Sequence, residues 1–345
     1  MDKREVGRAF LRIGCYMDGP LAVGVVGCGR MGRLHARVYS QMPQVKLVGI
    51  YDVDAARAAA VAAEYGSRAV GSMEELAGLA GAVTIATPTK FHVEAARPFL
   101  SRGVACLIEK PLARDAAEGR EIAEMARAGN AIVQVGHVER FNPIVRALNA
   151  LRLAPRFLEV IRVSPLPFRS LDVGVVLDVM IHDLDIVLNL VRSPVTSVDA
   201  SGVSVIGEVE DVCNARIRFA NGCVANVTAS RLAMKAERRL RAFSEDAFVS
   251  IDYAKKEGVI ARREGNVEAI RGAVAKVKAG EVPDLTKLSY ADLVKFEPIA
   301  IQDVEPLRAQ AEAFLAAARG EGPVVVTAAD GLAAVELAER IVAAI

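Results

Sequence analysis

The stretch Val23-Gly24-Val25-Val26-Gly27-Cys28-Gly29-Arg30-Met31-Gly32 constrains this chain more than any other. Its first four apolar or small residues read as a short buried strand, and a glycine-rich turn follows at once. Gly27 suits the tight turn, a side chain at Gly29 would block a pyrophosphate, and Gly32 lets the next helix pack close to the sheet. The free amides at that helix start form an anion site, with Arg30 and Met31 beside it. A second strand, Lys46 to Tyr51, ends in Asp52, twenty residues past Gly32. A carboxylate there can accept hydrogen bonds from an adenosine ribose. The spelling alone is also compatible with a turn that merely joins a strand to a helix; the second strand and its aspartate favour a dinucleotide site.

With 345 residues the chain exceeds what one core usually serves. We expect an extension over residues 1–20, a nucleotide domain over 21–141 and a second domain over 142–345. The net charge of +1 and the apolar fraction of 52% give no global pull toward nucleic acid or an acidic surface. No apolar run reaches the roughly 18 to 20 residues of a membrane span. The charged start does not read as a signal peptide, and Met17 is an alternative start to Met1. Five cysteines, scattered without metal-ligand spacing, fit a reduced cytoplasmic protein.

Along the first domain, Arg30 to Met42 reads as a helix, and Asp54 as the cap of the alanine-rich helix Ala55 to Tyr65. Ala82 to Ala86 is a buried strand that delivers Thr87-Pro88 to a loop, with His92 at the following helix start. Loops at the carboxyl ends of such strands are where open α/β sheets place ligands, so Thr87, Pro88 and His92 are candidate cofactor contacts. A capping or packing role fits His92 equally well. Val104 to Ile108 brings Glu109-Lys110-Pro111 to the same edge, where Glu109 and Lys110 are further candidate cofactor contacts. Pro111 stiffens the turn, and Lys110–Pro111 is a candidate cis bond. Ala131 to Val135 closes this half, followed by Gly136-His137-Val138-Glu139-Arg140-Phe141. Asn142-Pro143 then has the form of a cap and first-turn proline.

After Pro155 the pattern alternates. Phe157–Val163, Val203–Glu208, Val212–Phe219, Cys223–Ser230 and Arg238–Phe243 read as strands, with Phe248–Tyr253 as an edge. Ala220-Asn221-Gly222 is a hairpin turn between two of them. Residues 254–300 look irregular. Helices over 304–318 and 328–344 are expected to finish this domain. Val173 to Leu190 interrupts it with Asp178, His182, Asp183 and Asp185. On a helix Asp178 and His182 are four apart and share a face, and Asp185 can join them. A structural histidine flanked by carboxylates is the bland alternative. A metal site lacks a third ligand at convincing spacing, so none is expected.

These residues together resemble the glucose–fructose oxidoreductase, inositol dehydrogenase and MocA family. The marks are the Gly27–Gly32 turn, Glu109-Lys110-Pro111, and Asp178-Val179-Met180-Ile181-His182-Asp183-Leu184-Asp185. The resemblance covers nearly everything after the first twenty residues. It implies an α/β Rossmann domain followed by an α+β domain with an open, predominantly antiparallel sheet. It also implies a sugar substrate bound between the two, and a homodimer or homotetramer built on the sheet faces. In such proteins the residues matching Lys110, Asp178 and His182 are catalytic. The chain departs from the common pattern with Val175-Val176-Leu177 before the aspartate and Met180 two residues after it. The segments 136–143 and 177–185 look like those of a branch of UDP-N-acetylglucosamine 3-dehydrogenases, whose keto product an aminotransferase would receive.

Oxidising a sugar alcohol needs a base for the hydroxyl proton and an acceptor for the hydride. His182 suits the base, because its unperturbed pKa lies near 6.5. Asp178 can orient it or bind a substrate hydroxyl, and Lys110 can steady the developing alkoxide. His137, Arg140, Asn142, Arg162 and Arg169 are further candidate substrate contacts. Asn142 and the two last arginines suit a diphosphate, although surface arginines and a helix cap explain them too. Asp52, followed by Val53 and Asp54 rather than an arginine, favours NAD(H) over NADP(H). Three readings stay open: a nucleotide-sugar dehydrogenase, an enzyme of free sugars or cyclitols, and a non-catalytic nucleotide sensor.

Overall fold

The computed structural model describes residues 19–166, 172–280 and 294–345. The chain divides into two compact units, one running to Phe141 and including Val304–Glu336, the other comprising Asn142–Asp303 and Leu337–Ile345.

In the first unit the elements alternate: β1 (Leu21–Val26), α1 (Arg30–Ser40), β2 (Val45–Tyr51), α2 (Ala55–Glu64), α3 (Met73–Leu79), β3 (Ala82–Ile85), α4 (His92–Leu100), β4 (Ala105–Glu109), α5 (Ala116–Ala128) and β5 (Val133–Gly136). The strands pair in parallel in the order β2-β1-β3-β4-β5. This is a Rossmann-type domain. Helices cover both faces of such a sheet, which is why its strands read as unbroken apolar runs. Val23, Val25, Val26, Val83, Ile85, Leu107 and Ile108 are all fully buried. Side chains end the intervening loops: Asp54, Ser72 and Asp115 accept the N–H groups of Arg57, Glu75 and Glu118 at 3.0, 3.1 and 2.8 Å. The strand order reverses between β1 and β3, so a ligand crevice opens at their carboxyl ends.

The second unit begins with α6 (Pro143–Ala150) and β6 (Phe157–Val163). A π-helical turn over Val176–Met180 leads into α7 (Ile181–Val191). Then come β7 (Val195–Val203), β8 (Val212–Phe219), β9 (Val224–Ser230), β10 (Glu237–Phe243), β11 (Ala247–Asp252), β12 (Glu257–Arg262), α8 (Arg263–Lys278) and the short β13 (Glu297–Pro298). Their sheet runs β13-β12-β11-β10-β6-β9-β8-β7. Among the described residues only the β6–β9 pair of this sheet is parallel, so the sheet is mixed and largely antiparallel. β6 shows why alternation was visible. Leu158, Val160 and Arg162 are buried, while Phe157, Glu159, Ile161 and Val163 face the other way and are half-buried.

Three expectations change here. The strand placed over 203–208 ends at Val203, and β7 precedes it. Asp211 instead ties the following loop by accepting the N–H groups of Val205 and Ile206 at 2.7 Å each. β11 is not an edge, because β12 pairs with it; Gly258 interrupts the alternation of β12, where a side chain would meet Ile251 at 2.7 Å. The helix α9 (Pro306–Ala318) and the start of α10 (Ala328–Val342) belong to the first unit rather than to the second. Leu307, Ala311, Phe314 and Leu315 join the core of β1 and α1, and Val335 the core of β4 and β5. An amphipathic period reveals an apolar stripe but not which sheet the stripe covers. Among the described residues, no helix is long and apolar enough to cross a membrane.

Candidate active site

At the end of β1 the glycine turn has the form that dinucleotide chemistry needs. Gly27 has φ +90°, and a Cβ there would sit 2.7 Å from the Ala86 carbonyl oxygen. A Cβ on Gly32 would lie 1.7 Å from the Gly27 oxygen, so α1 rests directly on the strand. Gly29 is different: nothing lies within 4 Å of its Cβ position. Internal packing does not demand a glycine there, but the open space suits an approaching pyrophosphate. Gly29 and Arg30 are exposed and Met31 half-buried. Gly29 caps α1 without a side-chain hydrogen bond, and no acidic residue lies in the first turn, which leaves its amides suited to an anion.

The side chain of Asp52, buried at the end of β2, faces this turn. Its Oδ2 accepts the Cys28 N–H at 2.6 Å, and its Oδ1 accepts the Asp54 N–H at 2.9 Å. Burial first, and then Asp52 itself, push the neighbouring Cys28 thiol up to about 11, so this cysteine is inert. An arginine does reach the carboxylate, although none follows it directly: Arg57 lies 3.7 Å from Asp52 and 3.2 Å from Asp54. Two carboxylates against one guanidinium leave the spot negative.

Thr87 and Pro88 leave the end of β3 beside Gly27. His92 is buried, and its ring spans two loops, Nδ1 at 3.1 Å from the Leu112 carbonyl oxygen and Nε2 at 3.1 Å from that of Thr87. Burial lowers its pKa, so the neutral ring carries one hydrogen and donates to one of these two carbonyls; packed between the Thr87 and Leu112 loops, it is enclosed by protein rather than open to a cofactor. Glu109 and Lys110 end β4, and Lys110–Pro111 is cis. His137 follows β5 and is buried, and Arg140, also buried, lies 3.9 Å from Asp330. Thus Gly27, Gly29, Asp52, Thr87, Glu109, Lys110 and His137 gather at the carboxyl edge of one sheet.

In the second unit, Asn142 caps α6 through the Ile144 N–H at 3.3 Å, and its amide donates to the Tyr253 carbonyl at 3.2 Å. Asp178 lies in the π-helical turn and His182 in the first turn of α7, both half-buried. The wider π turn takes fewer degrees per residue than an α turn, so it brings His182 closer to directly above Asp178. Such turns recur at functional sites. Asp183 and Asp185 are buried. Arg162, expected as a cation for a diphosphate, is spent elsewhere: its Nε and Nη2 donate to Asp183 at 2.7 and 2.9 Å. The pair pins α7 to β6. Arg169 lies outside the described residues.

Two further groups hold the approach to this helix and escape a sequence reading. Arg231, fully buried, donates to Asp211 at 2.6 Å and to the Val173 carbonyl at 2.7 Å. Burial opposes ionisation of Asp211, but the N–H groups of Ile206 and Val205 and then Arg231 outweigh it and lower the carboxyl pKa to about 2. Glu210 accepts the Val176 N–H at 3.1 Å at the start of the π turn. His35 is the other omission. It falls on the buried stripe Gly32, His35, Ala36, Tyr39 of α1, where an aliphatic side chain is the ordinary choice, and that was the available signal. Among the described residues, no group of three His, Cys, Asp or Glu side chains is placed to hold a metal ion.

Residues 21–137 match the GFO/IDH/MocA family model, described as an oxidoreductase family with an NAD-binding Rossmann fold. Residues 165–250 match the GFO/IDH/MocA C-terminal domain. The chain is similar to UDP-N-acetylglucosamine 3-dehydrogenase of Acidithiobacillus ferrooxidans, 35% identical over 305 residues that cover 88% of this chain and 90% of that one. A solved structure of such an enzyme from that organism superposes with a TM-score of 0.83 at 33% identity, covering 94% of this chain and 97% of the other. Inositol 2-dehydrogenase of Rhizobium meliloti is 25% identical over 334 residues, 92% of this chain and 95% of its own. Levoglucosan dehydrogenase, solved with NADH and L-sorbose, shares the fold with a TM-score of 0.77 at 21% identity, over 94% of this chain and 96% of that one.

Proposed function

The chain belongs to the Gfo/Idh/MocA family of NAD-binding oxidoreductases, and we propose that it oxidises the 3-hydroxyl of a UDP-N-acetylhexosamine to a 3-keto sugar. The observation that carries this reading is the nearly whole-chain likeness, in sequence and in fold, to the Acidithiobacillus enzyme. His182 takes the hydroxyl proton, Asp178 orients its ring or a substrate hydroxyl, and the Lys110 ammonium steadies the developing alkoxide. NAD supplies the acceptor for the hydride. The 3-keto group is a form that an aminotransferase can consume. Incubation with UDP-N-acetylglucosamine and NAD should give a product two mass units lighter, with deuterium at carbon three lost to the cofactor. The likeness to inositol 2-dehydrogenase supports the second reading, a free sugar or cyclitol substrate. Efficient turnover of inositol or glucose, with no product from any UDP-hexosamine, would establish that second reading instead.

NAD(H) is the preferred cofactor in this reading. The 2′-phosphate of NADP would approach Asp52 and Asp54, against which Arg57 offers one positive charge. Opposition of this kind is worth about 1 kcal/mol or more, so NAD should bind about fivefold tighter or better at equal ionic strength. Titration of both oxidised cofactors decides it, and tighter NADP binding would overturn the assignment. Asp52→Ser should narrow the gap.

A homodimer or homotetramer completes the proposal. The half-buried sheet face carries a row of aromatic rings, Phe157, Phe243 and Phe248, with centroids 5.7 and 4.9 Å apart. Phe243 is 38% exposed. Such a row suits burial against a second copy. Light scattering should give a mass at least twice the 36.7 kDa of the chain, and Phe243→Glu should lower it. A monomeric wild type would reject this part. Among the described cysteines all four are free and buried, in keeping with a cytoplasmic protein, which cell fractionation checks.

A further inference from the structure

We propose that His35 is a positioning residue, acting through the Glu109 carboxylate on the backbone that presents Lys110. The inference rests on the role given to Lys110 above.

His35 is fully buried on α1, and its Nε2 lies 2.7 Å from Glu109 Oε1. A carboxylate only accepts, so the ring donates from Nε2. The partners stand 74 residues apart in sequence, one on the inner stripe of the first helix and the other at the end of β4. Nδ1 is buried with no partner among the described residues, so nothing else inside α1 asks for an imidazole. Burying such a pair is rarely the most stabilising way to fill a core, because both groups surrender their hydration. What it gives is a fixed place for the carboxylate.

Three other contacts define that place. Glu109 Oε2 accepts the Lys110 N–H at 3.3 Å. Gly136, on the neighbouring strand, leaves the room: a Cβ there would lie 3.0 Å from both Cδ and Oε2 of Glu109 and 2.8 Å from its Cα. The imidazole is in turn held from behind, stacked on Tyr39 with centroids 6.1 Å apart, while the Tyr39 hydroxyl bonds Thr84 at 2.7 Å. A chain of contacts therefore runs from β3 through α1 to the peptide of Lys110. Without the ring, the carboxylate can leave the Lys110 N–H, and the lysine loses its reference point. Misplacement of about 1 Å at a reacting group costs up to roughly 10²-fold in rate.

The test compares His35→Leu with His35→Gln, whose amide can donate from nearly the same point as Nε2. In single-turnover hydride transfer with saturating NAD and sugar, His35→Leu should be slower by about tenfold or more, with Kd for NAD within about threefold. His35→Gln should recover most of the rate. Equal loss in both variants, or parallel loss of rate and NAD affinity, would mean a packing role and overturn the proposal. So would an unimpaired His35→Leu. Lys110→Met is run alongside: if it retains full rate, the reading of Lys110 fails, whereas its inactivity beside a normal His35→Leu removes only the role of His35. Should both His35 variants fail to fold, Glu109→Ala removes the same carboxylate and should give the same split. Nitrogen NMR of the wild type adds a readout free of turnover, since the chain has only four histidines. A ring with its hydrogen on Nε2, perturbed by Glu109→Gln, is expected; a hydrogen on Nδ1 would contradict the geometry.

Discussion

Lys110→Met and His182→Asn should each slow single-turnover hydride transfer by about 10²-fold or more, the scale of a positioned proton-transfer or charge-stabilising group. Cofactor affinity should move by less than about threefold in both. In the proposed reading Asp52 and the Gly27–Gly32 turn hold the nucleotide, and neither substitution touches them. Methionine keeps the length of lysine and removes its charge. Asparagine keeps a polar group at position 182 and removes the base. The two losses should also differ in kind. A missing base slows transfer most at low pH and is partly relieved as hydroxide takes over, whereas a missing cation is not. A variant that keeps near-normal transfer at saturating substrate would strip that residue of its chemical role.

Local rules made much of this legible. A glycine that needs φ +90° and another whose Cβ would strike a carbonyl at 1.7 Å write their geometry into the sequence. So does a hairpin whose Gly222 has φ +83°. Buried parallel strands appear as apolar runs, and a sheet with one covered face appears as alternation, so Phe157–Val163 and Val212–Phe219 could be placed to the residue. What stayed hidden were partners. The stripe of α9 gave no sign that it would join the core of β1 and α1. Arg162 read as a surface cation because its carboxylate, 21 residues away, is met only when α7 lies across β6. The bond between His35 and Glu109 was invisible for the same reason. Sequence spacing identifies groups on one element; it cannot state which buried charge another element will bring.

The Arg162–Asp183 pair makes that distinction measurable. Arg162→Met should destabilise the second unit by about 3–5 kcal/mol, because it leaves the Asp183 carboxylate buried without its guanidinium. The substitution also removes the guanidinium that lies 5.4 Å over the Tyr253 ring, a smaller loss of about 0.5–2 kcal/mol already contained in that range. Asp183→Leu should be comparably harmful, stranding the arginine. The double variant Arg162→Met/Asp183→Leu should regain most of the stability, since two apolar groups carry no hydration to lose. Stability alone would make this an ordinary buried ion pair. Its position next to His182 adds a second expectation: the double variant, though folded, should show reduced turnover, because apolar packing does not fix the rotation of α7 as a two-bond guanidinium–carboxylate contact does. Denaturant unfolding of all three variants, with turnover measured well below the transition, checks both parts. A single variant within about 1 kcal/mol of wild type would reject the energetic claim. A folded double variant with full activity would show that α7 needs no ionic anchor to present His182.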